Sequence, residues 1–470
     1  MKVCLMCEGS YPYVTGGVSS WVHMLMTHLK DIEFYISAIV VDREHGGKFK
    51  YKMPPNLVSI NEIYLQDDDI VRFEKKLHLS RVEKEAFRSF VLGGSDIDWP
   101  TIFNFFANRD VSINSLLMGN DLLDILHEFY DKHYNRIPFS DFLWTYRSML
   151  LPICLLMKNE LPKADIYHSA STGYSGVLAC MAKHLYKKPA IITEHGIYTR
   201  EREEDIIRSP FFGGVYKDIW IEHFYKLSSC AYKYSDLVVS LFDNARELQI
   251  DIGCDPKKTM VVANGVVPDR FDDVLQKEHT GIINLGIIAR ISPIKDIKTL
   301  INSFAAAKER VPNIHLYIMG GYEEDDVPYY EECVDLVKSL GLKDVVFTGV
   351  INVNDYIGWM DILILTSISE GQPIAALEAM SARKPFVATN VGDCKGLLYG
   401  YEKGDKPCGI VAPIMSVEHL SNAIVELATN EKKRKQYGDV ARQRIDERYT
   451  VEKLIDSYDK LYKSYGMLRV

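Results

Sequence analysis

The chain contains no run of 18 or more apolar residues, which excludes a membrane-spanning helix of ordinary length. It also lacks an excess of positive charge. Lys and Arg number 55 against 64 Asp and Glu, a net charge of −9. That balance argues against nucleic acid or an anionic membrane as the main partner, while leaving room for a local basic pocket. Paired cysteines are missing too. The nine are scattered singly through apolar segments, at Cys4, Cys7, Cys154, Cys180, Cys230, Cys254, Cys333, Cys394 and Cys408. Cys4 and Cys7 form a CxxC, but on a strand positions three apart face opposite sides of the sheet, a poor arrangement for sharing a metal. An odd, dispersed count fits buried reduced thiols. There is no GxxxxGK phosphate loop, no Ser/His/Asp elbow and no calcium loop. The acidic clusters Asp67-Asp68-Asp69 and Glu323-Glu324-Asp325-Asp326 read as solvated loops, and no metal site is expected. The first residues, MKVCLMCEGSYPYV, hold too short an apolar run for a signal peptide and read as a buried strand. A cytoplasmic protein is the expectation.

What is present is an alternation. At 470 residues, 47% hydrophobic and 25% charged, the chain has the composition of a globular protein of two or three domains. Strand-like runs KVCLMC, EFYISAIVV, LVSINEIYL, ADIYHSA, PAIITEHG and DLVVSL alternate with helical segments in the first half. INLGIIA, IHLYIMG, DVVFTGV, DILILTS, KPFVATNV and GIVAP do so in the second. Short, continuously apolar strands between helices mean parallel sheets covered on both faces. Two such series predict two doubly wound, Rossmann-like α/β domains. The polar stretch within 264–281 sets the boundary: residues 1–275 form the first domain and 276–449 the second, with a helix over 450–470 returning to the first. Residues 65–160 break the pattern and read as an inserted helical subdomain, at the acceptor side or an oligomer interface.

The densest chemistry lies in TSISEGQPIAALEAM, residues 366–380. A strand precedes it, and a helix beginning at Gly371–Pro373 follows, since proline suits a first helical turn. Glu370 then sits at the strand-to-helix corner and Glu378 inside the helix, up to roughly 12 Å apart along the axis. Glycoside hydrolysis needs carboxylates about 5–9.5 Å apart flanking one bond. A wider pair beside an open helix N-terminus suits a long ligand with hydroxyls at both ends and an anion between. A nucleotide-sugar has that form.

Three further constellations join it. Arg290 and Lys295, in GIIARISPIKDIKTLI, follow the first strand of the second domain, where two cations beside a helix start suit a diphosphate. Gly16-Gly17 lies in the loop after the first strand of the first domain, where it either makes a turn or admits a ligand to the backbone. Glu194-His195 ends a strand of that domain, where His195 either contacts substrate or is structural. The charges at Arg200–Glu204 read as a solvated helix start.

At these residues the chain resembles the GT4 family of retaining GT-B glycosyltransferases, over essentially its full length. The resemblance is carried by GG after the first strand, the strand-end His, ARxxPxKD and SxxEGxPxxxLEAM. EGSYPYVTGGVSSWVHML and TEHGIYTRERE further resemble the subgroup that builds the Pel exopolysaccharide. The resemblance implies two domains facing a cleft and a UDP-sugar donor, UDP-glucose first among the candidates. It implies transfer of a hexose or N-acetylhexosamine to a growing polysaccharide, without metal or other cofactor. Arg290 and Lys295 would bind the diphosphate, with Gly17 facing it. Glu370 would meet the sugar hydroxyls, and the backbone of Gly371, Gln372, Pro373 and Ile374 the sugar and phosphate. Glu378 would hold the ribose, His195 would lie near the sugar, and Gly349, Val350 and Ile351 would take the uracil. A membrane-bound synthesis and export complex is the implied partner, with recruitment to the inner face of the membrane. One departure is SARKP in place of AxGKP, with Arg383 at a small residue's position. A UDP-sugar 2-epimerase and a non-catalytic nucleotide-sugar sensor share the same motifs and stay open.

Overall fold

The computed structural model describes residues 1–66, 77–93, 96–209, 213–274 and 281–467; Asp67-Asp68-Asp69 lie outside the described residues. The chain divides into two compact units, Met1–Val262 with Ser457–Val470, and Ala263–Asp456. The division falls at 262/263, so residues 263–274 group with the second unit rather than with the first as the sequence boundary had them.

The first unit carries a parallel sheet of β1 (Lys2–Glu8), β2 (Glu33–Val40), β3 (Leu57–Tyr64), β4 (Ile166–Ser169), β5 (Ala190–Glu194), β6 (Leu237–Ser240) and β7 (Thr259–Val261). Their order is β3-β2-β1-β4-β5-β6-β7. The half-exposed edge strand β7 was not foreseen, because three residues show no periodicity. The second sheet holds β8 (Ile283–Ile288), β9 (Ile314–Met319), β10 (Val345–Gly349), β11 (Ile362–Leu365), β12 (Phe386–Thr389) and β13 (Gly409–Ala412), ordered β10-β9-β8-β11-β12-β13. Both are doubly wound, and each reverses direction beside its first strand, between β1 and β4 and between β8 and β11.

Strand β11 shows why the runs are continuously apolar. Ile362 and Ile364 join the cluster under the helices Ile297–Arg310 and Val417–Thr429. Leu363 and Leu365 join the opposite cluster, with Leu377 and Met380 of the helix Ile374–Ser381. Alternate side chains point to opposite faces, and both faces are covered.

Residues 81–158 form helices Arg81–Leu92, Trp99–Asn108, Ile113–Leu117, Asn120–His133 and Phe139–Lys158. They do not make a core of their own. Phe87, Trp99, Phe103 and Phe142 share one apolar cluster with Cys4, Met6 and Ile39 of the sheet. The expected subdomain is instead a thickening of the first unit, driven by aromatic side chains that have no other place to be buried. All nine cysteines are buried and free. Among the described residues, no helix is long and apolar enough to cross a membrane.

Candidate functional site

In a doubly wound sheet the crevice for a ligand opens outside the carboxyl ends of the strands, where the order reverses. In the second unit that point lies between β8 and β11, which pair directly. The two loops leaving them are stitched together. Ile368 N donates to Ile294 O at 2.8 Å, and Thr366 Oγ1 to Lys295 O at 2.9 Å. Pro293–Lys295 form a tight turn, and Asp296 caps the helix after it by accepting from Thr299 N at 3.3 Å. The aspartate of the ARxxPxKD motif is therefore a helix cap.

This stitching brings Lys295 and Glu370 together. Lys295 Nζ donates to Glu370 Oε1 at 2.6 Å, and Ser367 Oγ donates to the same oxygen at 2.6 Å. Arg290 goes elsewhere. Its guanidinium pairs with Glu323 and lies 3.8 Å from Asp326, so two residues read as solvated acids hold a motif arginine.

Behind Glu370 the corner is braced from inside. Gln372 is 5% exposed; its Oε1 accepts from Asn264 N at 2.6 Å and its Nε2 donates to Asp393 Oδ2 at 2.6 Å. Its side chain thus fastens the loop rather than facing a ligand. Asp393 N donates to Gly371 O at 2.9 Å, and Tyr401 donates its hydroxyl hydrogen to Asp393. Gly392 has φ +49, and a Cβ there would overlap the carbonyl oxygens of Glu370 and Gly371. The helix begins at Ile374 with Pro373 as its N-cap, slightly later than the sequence implied.

Glu378 faces a residue that the motifs did not flag. Arg270, on the turn Pro268–Phe271, donates from Nη1 to Glu378 Oε1 at 2.9 Å and from Nε to Asn354 Oδ1 at 3.0 Å. Burial raises the Glu378 carboxyl above its ordinary range, and the Arg270 charge opposes that rise. Arg270 lies 108 residues before its partner, in no recognisable pattern. Gly349 ends β10 at φ +70, a conformation that favours glycine, and Val350 beside it is 86% exposed. β10 is two strands from β8, about 10 Å across the sheet.

Gly16, Gly17, Glu194 and His195 belong to the first unit. Gly16 caps the helix Gly17–His28 in extended conformation, and open space lies where its Cβ would be. Glu194 corrects the sequence reading of it as a ligand contact. It is 2% exposed, and its two oxygens already accept four hydrogen bonds, from Thr172 Oγ1, Tyr198 N, Tyr232 OH and Gln249 Nε2 at 2.8–3.0 Å. A carboxylate so fully occupied holds the end of β5 in place. His195 differs. Its Nε2 is buried without a partner among the described residues, its ring meets Trp21 edge-on at 4.7 Å, and burial lowers its pKa to about 4. The imidazole is therefore neutral near pH 7.

Residues 1–257 match the family model described as "Domain of unknown function (DUF3492)", more than half of the chain. The chain belongs to that family. Residues 274–444 match "Glycosyl transferases group 1", so a domain of that kind takes up most of the second unit. N-acetyl-alpha-D-glucosaminyl L-malate synthase of Bacillus anthracis is 26% identical over 39% of this chain and 45% of its own length. The chain thus spans about half of that relative. The UDP-Gal:alpha-D-GlcNAc-diphosphoundecaprenol alpha-1,3-galactosyltransferase of Escherichia coli is 25% identical over 67% of this chain and 78% of its own. Anabaena Alr3699/HepE, solved in complex with UDP, superposes with a TM-score of 0.63 at 14% identity, over 99% of this chain and 100% of that one. The fold is GT-B.

Proposed function

We propose that this protein is a retaining glycosyltransferase whose second unit binds a UDP-sugar. The observation that carries the reading is the Lys295–Glu370–Ser367 cluster at the point where the second sheet reverses, with Glu378 on the helix beyond it paired to Arg270 of the turn Pro268–Phe271. Lys295 supplies the cation for a diphosphate beside the open start of the helix Ile374–Ser381. Glu370 supplies acceptor oxygens for sugar hydroxyls, and Glu378 for a ribose. Exposed Val350 and the backbone at Gly349 and Ile351 offer a shelf for the base. That uracil is the base is supported by the UDP complex of the Anabaena protein. The sugar is a hexose or N-acetylhexosamine, with glucose first among the candidates. The motif resemblance supports a growing exopolysaccharide of the Pel type as acceptor. It also supports recruitment of a cytoplasmic enzyme to a membrane-bound synthesis complex, and transfer without metal.

A thermal-shift panel of UDP- and GDP-sugars tests the donor, since a ligand that binds the folded state stabilises it by mass action. A UDP-sugar is expected to raise the melting temperature and its GDP counterpart to leave it unchanged. Lys295→Ala and Glu370→Gln are each expected to lower transfer by on the order of 10²-fold. Unchanged transfer in both variants sinks the site assignment. A released epimer in the absence of any acceptor identifies an epimerase instead.

A further inference from the structure

The turn Pro268–Phe271 is short, yet it is tied down on three sides. Phe271 is buried in the apolar cluster of Leu377, Met380, Ala441 and Ile445, from the helices Ile374–Ser381 and Glu431–Arg448. Ser381 Oγ donates to Pro268 O at 3.3 Å. Arg442, on the helix Glu431–Arg448, supplies the third tie. Its Nη2 donates to Asp269 Oδ1 at 3.0 Å and its Nη1 to Asp272 Oδ1 at 2.5 Å. Its Nε donates to Asp446 Oδ1 at 2.9 Å, in its own helix. The Arg442 side chain is buried, and a buried guanidinium left unpaired is strongly destabilising. Here its partners include the two acids that flank Arg270. The residue so held is Arg270 itself.

From that fixed turn the Arg270 guanidinium spans two elements. Nη1 meets Glu378, and Nε meets Asn354 on the helix Val353–Tyr356, just past the Gly349–Ile351 segment. A planar fork has donors at set spacing for this, which the point charge of a lysine lacks. One oxygen of Glu378 is engaged, and Oε2 accepts no hydrogen bond among the described residues. The Glu378 side chain is 14% exposed against 41% for Arg270, so the carboxylate is the more withdrawn partner. Burial favours its protonated form, and the guanidinium opposes this. A charged acceptor makes hydrogen bonds roughly twice as strong as a neutral one. Arg270 thus keeps Glu378 a strong acceptor in a place that disfavours charge, and leaves one oxygen available.

We propose that Arg270 is a positioning residue for the nucleoside end of the donor, fixing Glu378 so that Oε2 accepts from a ribose hydroxyl, with Arg442 fixing Arg270 from behind. This rests on the UDP-sugar reading of the second unit.

Calorimetric titration of the full chain with UDP, 2′-deoxy-UDP and 3′-deoxy-UDP tests it. Wild type is expected to bind UDP about 10-fold more tightly than one of the two deoxy analogues. Arg270→Met is expected to lose about 10-fold in UDP affinity and, with it, that preference, while Arg270→Lys keeps part of both. Glu378→Gln is expected to cost UDP about 10-fold as well. The double variant Arg270→Met/Glu378→Gln is expected to lose about 10-fold rather than about 100-fold, because two residues acting as one are not additive. Arg442→Lys keeps the charge but forfeits the fork, and serves if Arg270→Met misfolds. Its preference for UDP is expected to fall about 3-fold. A wild type that binds UDP without the preference, Arg270→Met or Arg442→Lys with the preference intact, or additive losses in the double variant overturns this proposal alone. Equal weakening of UDP and both analogues makes Arg270 merely structural and overturns it too. Wild type that binds no UDP overturns the donor reading and this proposal together.

Discussion

Single side chains in this protein show that burial decides what a titratable group does. His223 sits among Phe90, Tyr174, Trp220 and Phe224, its Nε2 is unpartnered among the described residues, and Lys226 is the charged group beside it. Burial, with the Lys226 charge adding to it, lowers its pKa to about 3. Between that value and the unfolded value of about 6.5 the unfolded chain binds the extra proton, so stability falls as pH falls through this window. Replacing His223 with Phe removes that proton uptake. The stability of His223→Phe relative to wild type is expected to rise by about 2 kcal/mol between pH 7 and pH 5, measured by urea unfolding at the two values. Residue scale is also where sequence reading is weakest. Glu194 and Glu370 both follow apolar strands and look alike in sequence. One is ringed by four donors in the core and the other meets a lysine at the reversal point, because their neighbours come from distant segments. Arg270 and Asn264 were invisible for the same reason.

Elements were far more legible. All of β8–β13 could be read as apolar runs: β11 and β12 are buried on both faces and have no polar alternation to blur them, and even the half-exposed edge strand β10 keeps an apolar VVF run. Element ends carry two predictions. The helix Ile374–Ser381 closes with Lys384 N donating to Ala379 O and Arg383 N to Met380 O, which puts Arg383 in the left-handed region at φ 56. That geometry explains why a small residue is expected there, glycine above all. Arg383→Gly is expected to stabilise the chain by about 1 kcal/mol, read as a rise in melting temperature, because the exposed pair with Asp439 that it forfeits contributes little. Gly392→Ala runs the other way. Its Cβ has no room against the backbone of Glu370 and Gly371, and its φ is positive. A loss of about 1–3 kcal/mol is expected, together with weaker UDP binding as the corner bearing Glu370 shifts.

At the scale of the whole molecule, two sheets with separate apolar clusters imply two responses to ligands. Hydrogen exchange with and without UDP is expected to show new protection in the loops at 289–296 and 366–374, and none in segments 8–10 and 195–202 of the first unit. Protection of the second set by UDP alone contradicts this assignment. The helix Val451–Gly466 belongs to both units by sequence: its first residues group with the second unit, and those from Ser457 onward with the first. Its hydroxyls complete a buried chain in the first unit, with Tyr462 OH 2.7 Å from His168 Nδ1, His168 Nε2 2.8 Å from Thr193 Oγ1, and Thr193 Oγ1 2.9 Å from Tyr458 OH. Seen from the ribosome, the first unit to be translated is the last to be finished. Its interior lacks two tyrosines until residue 462 has emerged, by which time the second unit is already complete.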